Sequence, residues 1–80
     1  MIVLQKLNEI INIVLENKNQ QLLPQIFENM NLQDDIGFDS LDLAELTVRI
    51  ENEFGIDIFE DGIVTTVKEI IIKLKEAQFE

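Results

Sequence analysis

The chain contains no cysteine and no histidine, a single proline, three glycines, and six basic residues against sixteen acidic ones. Each scarcity removes a class of chemistry. Without cysteine there can be no disulfide, no thiolate metal ligand and no thiol nucleophile, and the composition fits a reducing compartment. Without histidine, the base that usually takes a serine's proton is missing. The formal net charge of −10 repels phosphate backbones and anionic headgroups. Nucleic acid and membrane surfaces are therefore poor partners, and a protein with a basic patch is a better one. The longest apolar run near the C-terminus, "IIIKL", is far too short to cross a bilayer, so no membrane insertion is expected. The segment "MIVLQKLNEI" has no basic stretch ahead of an apolar run and no small-residue cleavage site, so a secretory leader is not expected and a cytoplasmic location is. Neither internal repeats nor low-complexity tracts are present.

What is present is a hydrophobic fraction of 46% in 80 residues. One domain over residues 1–80 is expected, close to the lower size limit for a self-sufficient core. Leu4, Leu7, Ile11 and Val14, with Ile10 beside them, recur at helical spacing and predict a helix over 2–16. A second helix is expected from Ser40 to Phe54, with Leu43, Leu46, Thr47, Ile50 and Phe54 on one face and Gly55 as its stop. A third is expected over 67–77, with Val67, Ile70, Ile71 and Leu74 inward. "TVKE" reads as its capping box, Thr66 the cap and Glu69 reaching back. Between them, "ENKNQQLLPQIFENMNLQDDIG" is irregular, with Pro24 able to open one helical turn, and "IDIFEDGIV" has room for a short helix of a turn or two. No segment alternates apolar and polar residues as a strand does. The predicted fold is all-α, a small four-helix bundle of three longer helices and one short third helix.

The stretch most in need of explanation is "DDIGFDSLDLAEL", residues 34–46, where Ser40 sits among four aspartates. Ser40 as a catalytic nucleophile lacks a base, and no lysine is near it in sequence. There is no G-x-S-x-G elbow either. The aspartates do not form a calcium loop. Counted from Asp34, the third and fifth positions are Ile36 and Phe38; counted from Asp35, the sixth is Ser40 where glycine is needed. No metal site is expected. Serine and aspartate are both good helix caps. If Ser40 is the cap, its hydroxyl is spent on a backbone N–H. If Asp39 is the cap, Asp42 falls at the third helical position and the Ser40 hydroxyl stays free. The second arrangement is favoured, because it also places Asp42 at the positive end of the helix. On the residues alone, an ordinary helix start remains the stronger role for the stretch.

Asp39-Ser40-Leu41, preceded by Gly37 and followed by Asp42 and Glu45-Leu46, resembles the prosthetic-group site of acyl carrier proteins. In that family a D-S-L triplet opens the second helix of a four-helix bundle. The resemblance continues through "ENEFGIDI" and "VTTV" and covers roughly residues 34–75 with motifs, and the whole chain in size and helix order. It implies a non-catalytic carrier. A separate phosphopantetheinyl transferase moves 4′-phosphopantetheine from coenzyme A onto the Ser40 oxygen, and acyl- or aminoacyl-handling enzymes with basic patches then use the loaded arm. Ser40 needs no base of its own on this view, because the modifying enzyme brings one.

The resemblance assigns Asp39, Ser40 and Leu41 to the cofactor, and Leu41, Asp42, Glu45, Val48 and Glu51 to the partner face. Ile50, Phe54, Ile58, Val64 and Ile70 are candidates for the wall of an acyl pocket, against plain core as the alternative. A monomer is expected. Four departures from the family pattern bear on cargo and partners. Phe38 stands where a small residue is usual, so a ring beside the arm would narrow or redirect the pocket mouth. The loop before Gly37 is long, "IFEDGIV" is short, and Arg49 interrupts an acidic helix, with Glu45 or Glu53 in reach as its partner. Fatty-acid or specialised lipid or secondary-metabolite synthesis is the expected setting. The alternatives are a D-alanyl or peptidyl carrier and an unmodified acidic interaction module.

Overall fold

A computed structural model describes residues 2–60 and 62–79 of the chain, with side chains given through residue 77. Its helices are α1 (Ile2–Asn17), α2 (Ser40–Phe54) and α3 (Val67–Phe79). Among the described residues there is no strand, only an isolated antiparallel bridge between Asn31 and Thr66. The ends of α2 fall where its pattern placed them. α1 runs one residue further than expected and α3 two.

α2 starts on a reciprocal cap at Asp39 and stops at Gly55, whose φ of 75° is left-handed and whose N–H returns to the Glu51 carbonyl at 2.7 Å. A side chain there would be strained by the backbone rather than by its neighbours, since nothing lies within 4 Å of an added Cβ. α3 begins on the expected box. The Thr66 Oγ1 accepts from the Glu69 N–H at 3.3 Å, and the Glu69 carboxylate accepts from the Thr66 N–H at 3.0 Å.

Helices and loops share one core. Leu7, Ile11 and Val14 of α1 meet Leu46 and Ile50 of α2 and Val67, Ile70 and Leu74 of α3, with Ile26, Leu32, Phe38, Ile58 and Val64 supplied by the connections. Each such side chain taken from water contributes roughly 1.5–3 kcal/mol before chain entropy is counted. α1 buries a wider face than its stripe suggested. Val3 and Leu15 are also buried, while Leu4 is half-buried.

The long connection from α1 to α2 is irregular but tied down. The Asn12 side chain donates to the Leu23 carbonyl at 2.8 Å and accepts from the Leu23 N–H at 2.8 Å, and Asn8 donates to the same carbonyl at 3.3 Å. Further along, the connection pairs with the start of α3: Leu32 N–H to Thr65 at 2.8 Å, Val67 N–H to Met30 at 3.0 Å, and Lys68 N–H to Glu28 at 2.9 Å. Pro24 lies in a bend and opens no helical turn.

The short third helix expected in "IDIFEDGIV" is, among the described residues, a turn at 58–60. Two i→i+3 bonds close it, Glu60 N–H to Asp57 at 3.3 Å and Gly62 N–H to Phe59 at 3.2 Å. The Asp57 carboxylate takes the Phe59 N–H at 3.0 Å, a local bond that competes with helical pairing. Asp61, within this stretch, lies outside the described residues. The architecture described is therefore three helices around one core.

Candidate functional site

The start of α2 is built by a pair of aspartates. The Asp39 Oδ1 accepts from the Asp42 N–H at 2.9 Å, and the Asp42 Oδ2 accepts from the Asp39 N–H at 3.0 Å. Asp39 is thus the cap, in extended backbone geometry, and Ser40 is the first helical residue. Its side chain is exposed. The segment leading to it is anchored from below: the Phe38 N–H donates to the Leu32 carbonyl at 3.0 Å, and the Phe38 ring is 2% exposed. Phe38 is therefore part of the core. Rather than standing free beside Ser40, its ring anchors the turn that presents it.

The chain carries four side-chain hydroxyls, on Ser40, Thr47, Thr65 and Thr66. Three are engaged. Thr47 donates to the Leu43 carbonyl at 2.9 Å, the back-bond usual for threonine inside a helix. Thr65 and Thr66 donate to the Glu69 Oε1 at 2.9 Å and 3.3 Å. Among the described residues the Ser40 hydroxyl has no partner, because the residue before it performs the capping.

Two carboxylates of α2 near Ser40, Asp42 and Glu45, are paired with cations of the chain. Lys18, one residue past α1, donates from its Nζ to the Gly37 carbonyl at 3.2 Å and to the Asp42 Oδ2 at 2.5 Å. Partial burial opposes ionisation of Asp42, but the bonds from Lys18 and the Asp39 N–H outweigh it, so the carboxyl sits below its ordinary range. Glu45 accepts from the Asn17 amide at 2.9 Å and from the Arg49 Nε at 2.9 Å, which hold its carboxyl low as well. Of the two partners open to Arg49, the structure shows the ion pair with Glu45. Glu53 meets Lys6 at 3.7 Å. Lys18 and Asn17 were not found from the sequence. No local pattern marks them, since 24 and 28 residues separate them from their partners.

On the outer surface of α2, Leu41 is 80% and Val48 55% exposed, and Glu51 is exposed. Asp42 and Glu45 are only part-exposed, because of the pairings above. Ile50, Ile58, Val64 and Ile70 are buried in the shared core, and Phe54 is half-buried against it. None of these five lines either of two surface hollows. One, of about 540 Å³, lies between α1 and the connection, along Leu4, Asn8, Pro24 and Ile26. The other, of about 200 Å³, lies between α1 and α2, along Ile10, Ile13, Arg49, Asn52 and Glu53. Among the described residues no three acidic, histidine or cysteine side chains gather to hold a metal ion, and no helix is long and apolar enough to cross a membrane.

A partnerless hydroxyl at the N-terminal end of a helix suits one kind of chemistry. It can be esterified without breaking an internal bond, and the helix end favours an attached phosphate. The residues therefore fit a phosphodiester-linked group. The comparisons with known proteins agree. The family model described as the phosphopantetheine attachment site matches residues 3–72. An acyl carrier protein from Zymomonas mobilis is 39% identical over 54 residues, covering 65% of this chain and 69% of that protein. The chain therefore belongs to the acyl carrier protein family: a carrier that bears 4′-phosphopantetheine, performs no catalysis of its own, and works with a phosphopantetheinyl transferase and acyl-handling enzymes.

Proposed function

We propose that Ser40 is the residue that takes the arm. The observation that carries this is its hydroxyl, exposed at the first position of α2 and, among the described residues, the one hydroxyl without a partner. In the transfer, a bond forms between the Ser40 Oγ and a phosphorus of coenzyme A as the pyrophosphate link breaks. The serine proton goes to a base of the transferase, and the adenosine bisphosphate leaves. When bound, the arm supplies a terminal thiol that holds the cargo as a thioester. The chain's own residues orient the attachment point. Asp39 and Asp42 fix the helix start, Phe38 anchors the turn before it, and Leu41 lies beside Ser40 on the exposed side. Incubation with coenzyme A, magnesium and a broad-specificity transferase should add one arm. Ser40→Ala should block the addition while leaving the helical signal and melting temperature near wild type. Loading of the alanine variant would overturn the assignment.

The partner face comprises Leu41, Glu45, Val48 and Glu51 with Asp42 at its flank, supported by the exposure of the apolar side chains Leu41 and Val48 on α2. Enzymes that dock there carry basic patches. Glu45→Lys should slow their association and Val48→Ala should speed dissociation. The turn at 58–60, closed by the bond from the Glu60 N–H to Asp57, takes the place of the family's short third helix in one carrier domain over 1–80.

The cargo is an acyl chain in fatty-acid or specialised lipid synthesis in the cytoplasm, sheltered by parting Ile50, Phe54, Ile58, Val64 and Ile70. These residues are core-packed, so a chain that enters them must stabilise the folded state it occupies. The melting temperature should rise with acyl length. A constant melting temperature across lengths points instead to a D-alanyl or peptidyl carrier with its cargo held outside.

A further inference from the structure

The basic residues of this chain are few, and half of them lie against one helix. α2 carries four carboxylates after its cap, at Asp42, Glu45, Glu51 and Glu53. Three are neutralised from within, by Lys18, Arg49 and Lys6. These cations are three of only six in a chain with sixteen acids, and two of them, Lys18 and Arg49, meet acids of the proposed partner face. Arg49 belongs to the same helix and Lys6 meets Glu53 at its far end. Lys18 differs from both. It reaches over from the end of α1 and bonds the Gly37 carbonyl and Asp42, three residues before and two after Ser40. Its side chain retains 26% exposure while that of Asp42 retains 12%. A partner approaching Ser40 therefore meets a lysine side chain more exposed than the carboxylate that the acid pattern of the sequence promises.

We propose that Lys18 is a specificity-determining residue of the carrier, an internal counter-ion that withholds Asp42 from partners. This rests on the assignment of Ser40 as the attachment point. An enzyme whose basic groups are placed to pair with a free carboxylate at α2's first turn finds the Asp42 Oδ2 occupied and a like charge beside it. Such an enzyme is disfavoured twice, by the lost pair and by the repulsion. A partner of lower positive charge, led by contact with Leu41 and Val48, meets no such obstacle. Lys18 does not touch the reacting atoms, so its influence appears in encounter and binding rather than in the chemical step.

The test is the kinetics of Ser40 modification by a strongly basic, broad-specificity transferase, with the arm located by peptide mass. Lys18→Gln should raise kcat/KM about threefold at low ionic strength, the size of one unit charge acting across about 10 Å of water on a few partner charges. The gain should lie in KM, with kcat unchanged. It should vanish near 1 M salt, where screening acts within about 3 Å. Lys18→Arg should return kcat/KM to the wild-type value. Should Lys18→Gln fail to fold, Lys18→Met, which keeps the stem that covers the loop, carries the same comparison. An unchanged or lower kcat/KM, or a gain that persists at high salt as a loosened loop would give, overturns the proposal. A wild-type chain that takes no arm at Ser40 overturns the attachment assignment and this proposal with it. Full modification without any effect of Lys18 overturns this proposal alone.

Discussion

α2 and α3 begin with the same device and put it to opposite use. Each has a cap residue and an acid three positions later that bond reciprocally. At α3 the cap is Thr66, and both neighbouring hydroxyls turn inward onto Glu69. At α2 the cap is the carboxylate of Asp39, so the adjacent serine has nothing to hold. The closed box serves only the helix. The other leaves a hydroxyl exposed on a turn whose Asp39 and Asp42 N–H groups are both bonded. The difference teaches that the modification proposed at Ser40 would need no activating residues from the chain. It needs only that another residue take over the local structural work.

The comparison can be broken most sharply by exchanging the two residues. Asp39→Ser with Ser40→Asp moves the hydroxyl onto the capping position, where it is spent as Thr66's is. Modification by the transferase should fall by at least tenfold although a serine remains one residue away. Wild-type loading of the double variant would show that exposure alone is not what the site supplies.

Below the two helix starts the core is alike. Leu46 and Ile70 are both fully buried. Alanine at either should cost about 2–5 kcal/mol in urea unfolding, and similar costs would confine the contrast to the caps. Removing the caps gives the next effect. Thr66→Ala should cost about 1 kcal/mol. Asp39→Ala should cost the same or more, since it strips the Asp42 N–H of its partner as Thr66→Ala strips the Glu69 N–H, and a carboxylate at the cap also complements the helix end. A smaller loss at Asp39 than at Thr66 would contradict the geometry.

The pH response is smaller and has a definite sign. Asp42, Glu45 and Glu69 all have carboxyls held below their ordinary values, Glu69 chiefly by the N–H and hydroxyl of Thr65. The unfolded chain therefore takes up protons before the folded chain does. The stabilisation is complete above the ordinary values of 4.5 for glutamate and 3.8 for aspartate, and is lost as pH falls below them. Melting temperature should decline across that window, and Glu69→Gln should flatten the decline. A steeper decline in the variant would reverse the assigned sign.

Much of this was legible because caps and stripes are local. The Asp39 cap, the Thr66–Glu69 box, the limits of α2 and its Leu46–Ile50 seam all depend on residues within a few positions of one another. What escaped depends on chain segments that meet only after folding. Lys18 and Asn17 look like an ordinary polar end to α1 until the connection brings them to α2. The clamp of Asn12 on Leu23, and the pairing of residues 28–32 with 65–68, give order to a loop whose composition carries no period. Set against the family pattern, Phe38 predicts a ring beside the arm. Its hydrogen bond to Leu32 and its burial are tertiary facts. "IDIFEDGIV" has room for a short helix, yet the Asp57 carboxylate takes the Phe59 N–H and leaves a turn at 58–60.

The most direct test of the central claim is fragment mass spectrometry of the protein isolated from its own host. The four hydroxyl-bearing positions lie on fragments that can be told apart. An arm on Ser40, with Thr47, Thr65 and Thr66 unmodified, is the predicted result. An arm on any of the three threonines, or a Ser40 that stays bare while the transferase modifies other carriers in the same cells, would contradict it.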